Sequence, residues 1–452
     1  MEASSAPRLL ESALAFPEHR HLLDRPVHVL LLGKASAHMA TALGRWTGAA
    51  RIVAGIAVGT HGPADLTSPL VWLESSHPVP DTRSVAAGER ALALARSVPA
   101  DHLLLVLLSG GASSLVALPR PGITLQDKQA TTRRLLLAGA DIHALNTVRK
   151  HLSAIKGGQL AAAAVAPTLA FAISDVVDDD LSIIGSGPTV PDPGTFAEAL
   201  DILARFGGVE AYPQAVVTLL RRGANGVLPE TPKPADPRLG HVTTRVIGSR
   251  TDAAAGAARA AEAMGYRAIV LPEPVVGEAR VAGPRFVEES VRLADNASAE
   301  TCVIATGETT VRVTGFGRGG RNQELVLSVV GALAGLGRPA ALLSGGTDGV
   351  DGPTDAAGAM ADESTFRRSE EAGIGAVDAY LRNNDAYTYF QALGDLVITG
   401  PTDTNVGDIQ VLLLAPGGSR GRSLRPCHAS SDFSPGQERR PPAWTAVVGS
   451  VR

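Results

Sequence analysis

The residues best suited to chemistry sit in small-residue loops that follow aliphatic runs. Ser109-Gly110-Gly111-Ala112-Ser113-Ser114 comes directly after the run 103–108. Small residues at the carboxyl end of a buried strand let backbone N–H groups face a ligand, and serine hydroxyls add donors. Ser109, Gly110, Gly111 and Ser113 are therefore expected to hold a phosphate or carboxylate, against the bland alternative of an ordinary turn. Ser174 and Asp175 follow the run 168–173 in the same way and lead into Asp178-Asp179-Asp180. Clustered carboxylates repel one another unless a cation is near, and Mg²⁺, which takes one or two carboxylates together with water and phosphate oxygens, suits Asp175. Gly185, Ser186 and Gly187 form a further hydroxyl-bearing loop just beyond.

The second half carries Gly315-Phe316-Gly317-Arg318-Gly319-Gly320-Arg321-Asn322 between an expected strand and an expected helix. It matches GxGxxG, the dinucleotide fingerprint. Two features oppose that reading. The loop holds two arginines, one at the helix start where the dipole already favours anions, and the next expected strand, 340–343, runs into Ser344-Gly345-Gly346 rather than an acidic residue. A guanidinium beside a glycine-rich loop better suits a transferring phosphoryl group or a carboxylate. Asn322, Glu308 in the tight Gly-Glu before the loop, and Asp348 after the second Ser-Gly-Gly are candidate substrate contacts. Lys34, in Gly33-Lys34-Ala35-Ser36, falls at the carboxyl edge of the first expected strand; the segment is not a Walker A loop. Arg149, Lys150 and Lys156 add positive charge, which equally describes a solvated helix face. A lone histidine such as His77 or His151 reads as structural, and no HExxH or GxSxG pattern occurs.

Elements must position these groups. Strands are expected at 27–33, 52–58, 103–108 and 168–173, with helices at 35–43, 82–95 and 124–137 between them. This β-then-α order predicts a parallel sheet covered by helices. Residues 225–240, with four prolines, read as a linker or long surface loop. Beyond it strands are expected at 242–247, 268–271, 302–306, 309–314, 340–343 and 409–414, and helices at 252–264, 278–294 and 322–334. The expected domains are 1–237, 238–416, and a disordered tail 417–452 rich in Ser, Arg, Gly and Pro. The 452 residues are 45% hydrophobic, 19% charged and 4% aromatic, so an aliphatic two-domain α/β protein is expected. A net charge of -4 gives no footprint for nucleic acid or an anionic membrane. Two cysteines, Cys302 and Cys427, and no apolar leader or spanning run point to the cytoplasm.

Taken together, the segments resemble the class II glycerate kinases (glycerate 2-kinases), whose C-terminal region is the MOFRL domain. The resemblance rests on GKAS with Met39, SSHPVPD, LLSGGASSL, the segment 145–158, ISDVVDDDLSIIGSGPTVPDP, GETTVRVTGFGRGGRNQEL, LSGGTDGVDGPTDAAGAM and ITGPTDTNVGD, in one order along most of the chain. Ala112, Asp178 and Asp403 stand where that pattern leads one to expect glycine. The resemblance implies two Rossmann-like α/β/α domains with an interdomain active-site cleft. It implies ATP and Mg²⁺, and phosphorylation of D-glycerate to 2-phosphoglycerate, with Lys34 and Arg321 important for activity. A homodimer is held open as the assembly. The alternative, resting on GxGxxG alone, is an NAD(P)-dependent hydroxypyruvate reductase.

Overall fold

Aliphatic runs become the centre of the first sheet. The computed structural model describes residues 2–416 apart from 64, 67, 296 and 403. The expected tail 417–452, Cys427 and Asp403 therefore lie outside the described residues. The chain divides into two compact units. Among the described residues the first holds those from Ala6 to Ser249 with Thr404 and Asn405; the second holds those from Arg250 to Thr402, 406–416, and 2–5.

In the first unit the strands are β1 (Val27–Leu32), β2 (Ile52–Gly59), β3 (Leu70–Glu74), β4 (Leu103–Leu108), β5 (Thr168–Ile173) and β6 (Val242–Gly248). All pair in parallel, in the order β3-β2-β1-β4-β5-β6. Every residue of β1, β4 and β5 is buried, as two helix-covered faces require. Strand order reverses between β1 and β4, so the helices that follow these two strands lie on opposite faces of the sheet and the loops at their carboxyl ends come side by side at the switch point.

The boundary falls later than expected. β6, assigned on sequence to the second domain, is the edge strand of the first sheet. Residues 225–240 are not a free linker either. Asp192 N–H donates to Pro232 O (2.8 Å), Thr231 Oγ1 donates to Asp192 Oδ2 (3.0 Å), and Glu230 accepts from Phe196 N–H (2.9 Å). The prolines remove donors, but the residues between them lay the segment down on the first unit.

The second unit contains β7 (Arg267–Val270), β8 (Val275–Glu278), β9 (Thr301–Thr310), β10 (Ala340–Gly346), β11 (Gly358–Asp362), β12 (Leu396–Val397) and β13 (Asp408–Leu414). Their order is β12-β11-β10-β13-β9-β7, with β8 also on β9. β7 and β8 run parallel to β9; the other pairs are antiparallel, so this α/β sheet is mixed. No helix lies between β10 and β11, so the chain returns as a hairpin-like pair rather than a crossover. The two strands expected around Gly307-Glu308 are one, β9. The helix expected at 322–334 is two, Arg321–Leu327 and Val330–Gly335. Ser344, Gly345 and Gly346 are not a loop: they pair with β13 as the end of β10. Phe286, Leu325, Val326, Tyr389, Phe390 and Leu412 centre the core of this unit.

Among the described residues no helix is long and apolar enough to cross a membrane. The arm's anchor yields a test. Asp192 is buried, as is its partner Lys150 (Nζ to Oδ1, 3.4 Å). Asp192→Ala strands that charge and is expected to destabilise the first unit by about 3–5 kcal/mol. Urea unfolding would reveal this as a lowered midpoint, and an unchanged midpoint would contradict it.

Candidate functional site

The crevice between β1 and β4 is lined by two predicted loops held against each other. Lys34 N–H donates to Gly110 O (2.9 Å) and Ala35 N–H to Ser109 Oγ (3.1 Å). Ser109 is buried and spent on this bond, so it fastens the loops together. Gly111 has φ 81°, the left-handed region where glycine is favoured, and opens the short helix Ala112–Leu115. A Cβ at Gly111 would lie 3.1 Å from Lys34 Cγ and 3.0 Å from His77 Cδ2, so both side chains pass over it. Among the described residues the amides of Gly110 and Gly111 have no partner within the chain. Asp175, at the carboxyl end of β5, comes close enough that a Cβ on Gly110 would meet its Oδ2 at 2.4 Å, and Asn405 Nδ2 donates to the same oxygen (3.4 Å).

Behind Ser113 lies a group of cations. Lys156 Nζ donates to Ser113 O (2.9 Å) and Ser113 Oγ (2.6 Å), and Arg149 Nη2 donates to Ser113 Oγ (2.8 Å). Lys128, on the helix Leu125–Leu137, is 8% exposed and Lys156 is 2% exposed. Burial, and then the charge of Arg149, pushes Lys128 down to about 7. Burial also lowers Lys156 well below the usual lysine range, with Arg149 and Lys128 adding to the effect, and lowers Arg149 to about 10. Lys150, in the same basic run, turns the other way to Asp192. Lys128 reads as a solvated helix residue in sequence, and only tertiary packing brings it here.

The neighbouring loop contributes a hydroxyl, and of its three amides only that of Gly185 has no partner among the described residues. Gly185, Ser186 and Gly187 all have left-handed backbone, with φ 59°, 62° and 61°. The amides of Ser186 and Gly187 are bonded to Ile183 O and Ile184 O. Buried Ser186 instead places its Oγ 2.7 Å from Ser113 Oγ and donates to Asn146 Oδ1 (3.0 Å). Ser174 Oγ closes its own turn with Val176. In the acidic run Asp178 is exposed and Asp180 Oδ1 accepts from Ser182 N–H (2.8 Å), a local turn. The left-handed residue there is Asp179 (φ 53°); Asp178 and Ala112, standing for expected glycines, need no such conformation.

In the second unit Arg321 is the first residue of the helix Arg321–Leu327. Its Nε and Nη2 grip buried Asp408 (2.6 and 3.0 Å), and its Nη1 meets the half-exposed Glu308 (2.8 Å). The anion at this helix start is the protein's own. Asp351 Oδ1 and Oδ2 accept from Asn322 N–H (3.1 Å) and Gln323 N–H (2.9 Å), and a Cβ at Gly320 would meet Asp351 Cγ at 2.3 Å. The glycine-rich loop is likewise filled from within. Asn384 Oδ1 accepts from the amides of Thr314 and Gly315, Asn383 from those of Phe316 and Gly317, and Asp385 from that of Arg318. A pyrophosphate would find those donors occupied, which removes the physical basis of the dinucleotide reading. Asn322, expected at substrate, is buried and bonded to Asp351 and to Ser344 Oγ. Asp348 Oδ1 accepts from Val350 N–H (3.1 Å). Asp351 and Asp408 were not singled out on sequence; each lies within a quoted segment, but an Asp in an Asp-Gly-rich stretch reads first as a turn former.

A doubly covered parallel sheet, with an anion-type loop at its switch point and unneutralised cations behind it, defines a phosphate-handling α/β protein. The model of a domain of unknown function, DUF4147, matches residues 1–221, and that of the MOFRL family matches residues 301–408. A glycerate 2-kinase of Pyrococcus horikoshii is 36% identical over 401 residues, covering 88% of this chain and 89% of that protein. A protein of Agrobacterium vitis, provisionally named a hydroxypyruvate reductase, is 42% identical over 90% of this chain and 93% of its own. The crystal structure of glycerate kinase from Thermotoga maritima superposes with a TM-score of 0.77 at 36% identity, covering 92% of this chain and 99% of that one. The chain belongs to the class II glycerate kinase family, with its MOFRL region in the second unit.

Asp351 supplies a pH test. Burial raises its carboxyl to about 6, with Asp408 adding to the rise against the two amides and Arg321. A raised carboxylate binds its proton more tightly when folded, so its contribution is present below the ordinary carboxylate range and lost as pH rises through about 6. The stability of the protein relative to Asp351→Asn is expected to fall from the ordinary carboxylate range, roughly pH 4, to about 6 and to change little above that. Urea midpoints for the two proteins across that range check it, and a constant difference would contradict it.

Proposed function

We propose that this protein transfers the γ-phosphoryl group of ATP to the 2-hydroxyl of D-glycerate, giving 2-phosphoglycerate and ADP. The observation that carries this reading is the first unit's crevice: unpartnered amides at Gly110 and Gly111, with Lys34 over them and buried cations behind Ser113. Such an array suits phosphate groups and offers nothing to a nicotinamide. The family's glycerate kinases supply the acceptor. The cytoplasm is the compartment this reading implies.

The glycerate O2–phosphorus bond forms as the bond from phosphorus to the β,γ-bridging oxygen breaks, ADP leaves, and the hydroxyl proton passes to water late in the transfer, with no strong base required. In a loose transition state, positioning and charge stabilisation dominate. Lys34 meets the transferring group as a mobile point charge. Arg321 enters with its plane already set by Asp408, so little reorganisation is needed when it binds an anion. Its contact to half-exposed Glu308 is the one a substrate carboxylate or phosphoryl oxygen competes for.

Among the described residues no group of three His, Cys, Asp or Glu side chains is arranged to hold a metal. Asp175 is a single carboxylate beside Gly110, which fits Mg²⁺, an ion that takes few protein ligands and completes its coordination with phosphate oxygens and water. When bound, Mg²⁺ supplies neutralising charge to the nucleotide's phosphates.

Protein incubated with ATP, Mg²⁺ and D-glycerate, then given enolase without a mutase, is expected to form phosphoenolpyruvate. ADP without phosphoenolpyruvate would mean transfer to O3, and NADH oxidation with hydroxypyruvate in the absence of ATP would replace this reading with the reductase. Arg321→Ala is expected to lower kcat/KM by about a hundredfold or more while leaving the far-ultraviolet spectrum unchanged. Near-normal turnover would remove Arg321 from the reaction.

A further inference from the structure

Arg149 and Lys156 converge on Ser113, and buried Lys128 lies on the helix packed against the one that carries Arg149, close enough for the charges to act on one another. Buried lysines are found paired, because desolvating an ammonium is costly. Lys150 obeys that rule through Asp192, whereas among the described residues none of these three is bonded or paired to a carboxylate. Lys128 Nζ is buried and has no hydrogen-bond partner among the described residues. Arg149 and Lys156 both point at Ser113 Oγ, which also meets Ser186 Oγ. Arg149 is only partly buried, which leaves a way in. Ser186 is held in left-handed backbone at φ 62°, a conformation costly for a non-glycine residue.

We propose that Lys128, Arg149 and Lys156, with the hydroxyls of Ser113 and Ser186, form the seat of a phosphate dianion. The ligand neutralises the buried charges and takes up donors that the chain leaves unused at Lys128. This deepens the reading above and rests on it for the source of the phosphate, either the nucleotide's phosphate tail or the phosphorylated product. The chemistry of the seat is the same for both. Lys128 Nζ is the donor of the seat that no described residue takes up, which leaves it for the ligand.

The test uses the full chain with Lys128→Met and Arg149→Met, and Lys150→Met as the structural contrast. Thermal unfolding and equilibrium binding are measured with inorganic phosphate, ADP and 2-phosphoglycerate. Lys128→Met is expected to unfold at the same or a higher temperature than the parent without ligand, because an uncompensated charge has gone. It is expected to bind phosphate ligands about tenfold to a hundredfold more weakly. Arg149→Met is expected to weaken them similarly, so either variant suffices if the other fails to fold. Lys150→Met, which strands Asp192, is expected to lower the ligand-free midpoint. Weakening confined to ADP assigns the seat to the nucleotide; weakening confined to 2-phosphoglycerate assigns it to the product. Unchanged affinity for all three ligands in Lys128→Met and Arg149→Met overturns the seat, as does a lowered ligand-free midpoint in Lys128→Met with binding intact. If these variants lose ADP while the parent fails to phosphorylate glycerate, the seat stands and the assigned reaction falls. If they keep every affinity while the parent is an active kinase, the reverse holds.

Discussion

Desolvated positive charge without a counter-ion is the constraint around which the first unit is arranged. Taking an ammonium or guanidinium out of water costs several kcal/mol even after relaxation, and neighbouring like charges raise that cost. At Lys128, Arg149 and Lys156 that cost shows as protons held less tightly than usual, with Lys128 pushed down to about 7. Much nearby sequence contributes to holding them there. The helix Leu125–Leu137 is capped by Thr124 and Asp127, the helix Ile142–His151 by Asp141, and Ser113 and Ser186 meet at the centre. The sheet beneath is as apolar as parallel packing demands, and its switch point puts the loop after β4 beside the loop after β1. The site thus spends stability gained in β1, β4 and β5 on a charge pattern that only a ligand completes.

The second unit handles charge in the opposite way. Arg321 is gripped by Asp408, the helix it opens is capped by Asp351, and the glycine-rich loop is pinned by Asn383, Asn384 and Asp385. These charged groups are paired in advance, and what they present is geometry: a guanidinium plane fixed at one edge. Pre-organised donors and unneutralised cations are the two resources phosphoryl transfer requires, since there is little covalent work for the protein to do. A dinucleotide site needs open backbone donors in its glycine-rich loop, and the same glycines that mimic its fingerprint here make room for a packed turn.

The parts of this fold legible in sequence are those decided by local pattern. Runs such as 103–108 and 168–173 are aliphatic throughout and bounded by polar or small residues, and both became strands with the expected ends. Where pairing partners decide, sequence was silent. Ser344-Gly345-Gly346 resembles Ser109-Gly110-Gly111, yet the former continues a strand because β13 supplies partners on that side. Gly307-Glu308 looked like a turn and is extended for the same reason. The proline-rich arm misled because its anchors, Glu230 and Thr231, bond to residues distant in sequence. At the site, Lys34, Ser113 and Arg321 were visible through motif position, whereas Lys128 was not, because nothing local distinguishes a lysine facing solvent from one facing two other cations.

The most direct measurement is a crystal structure of the full chain grown with ADP or with 2-phosphoglycerate. The account predicts a phosphate group within hydrogen-bonding reach of Arg149 and Lys156, with Lys128 turned toward it and Ser113 Oγ beside it. Phosphate groups bound elsewhere in both crystals, with the three cations untouched, would contradict it.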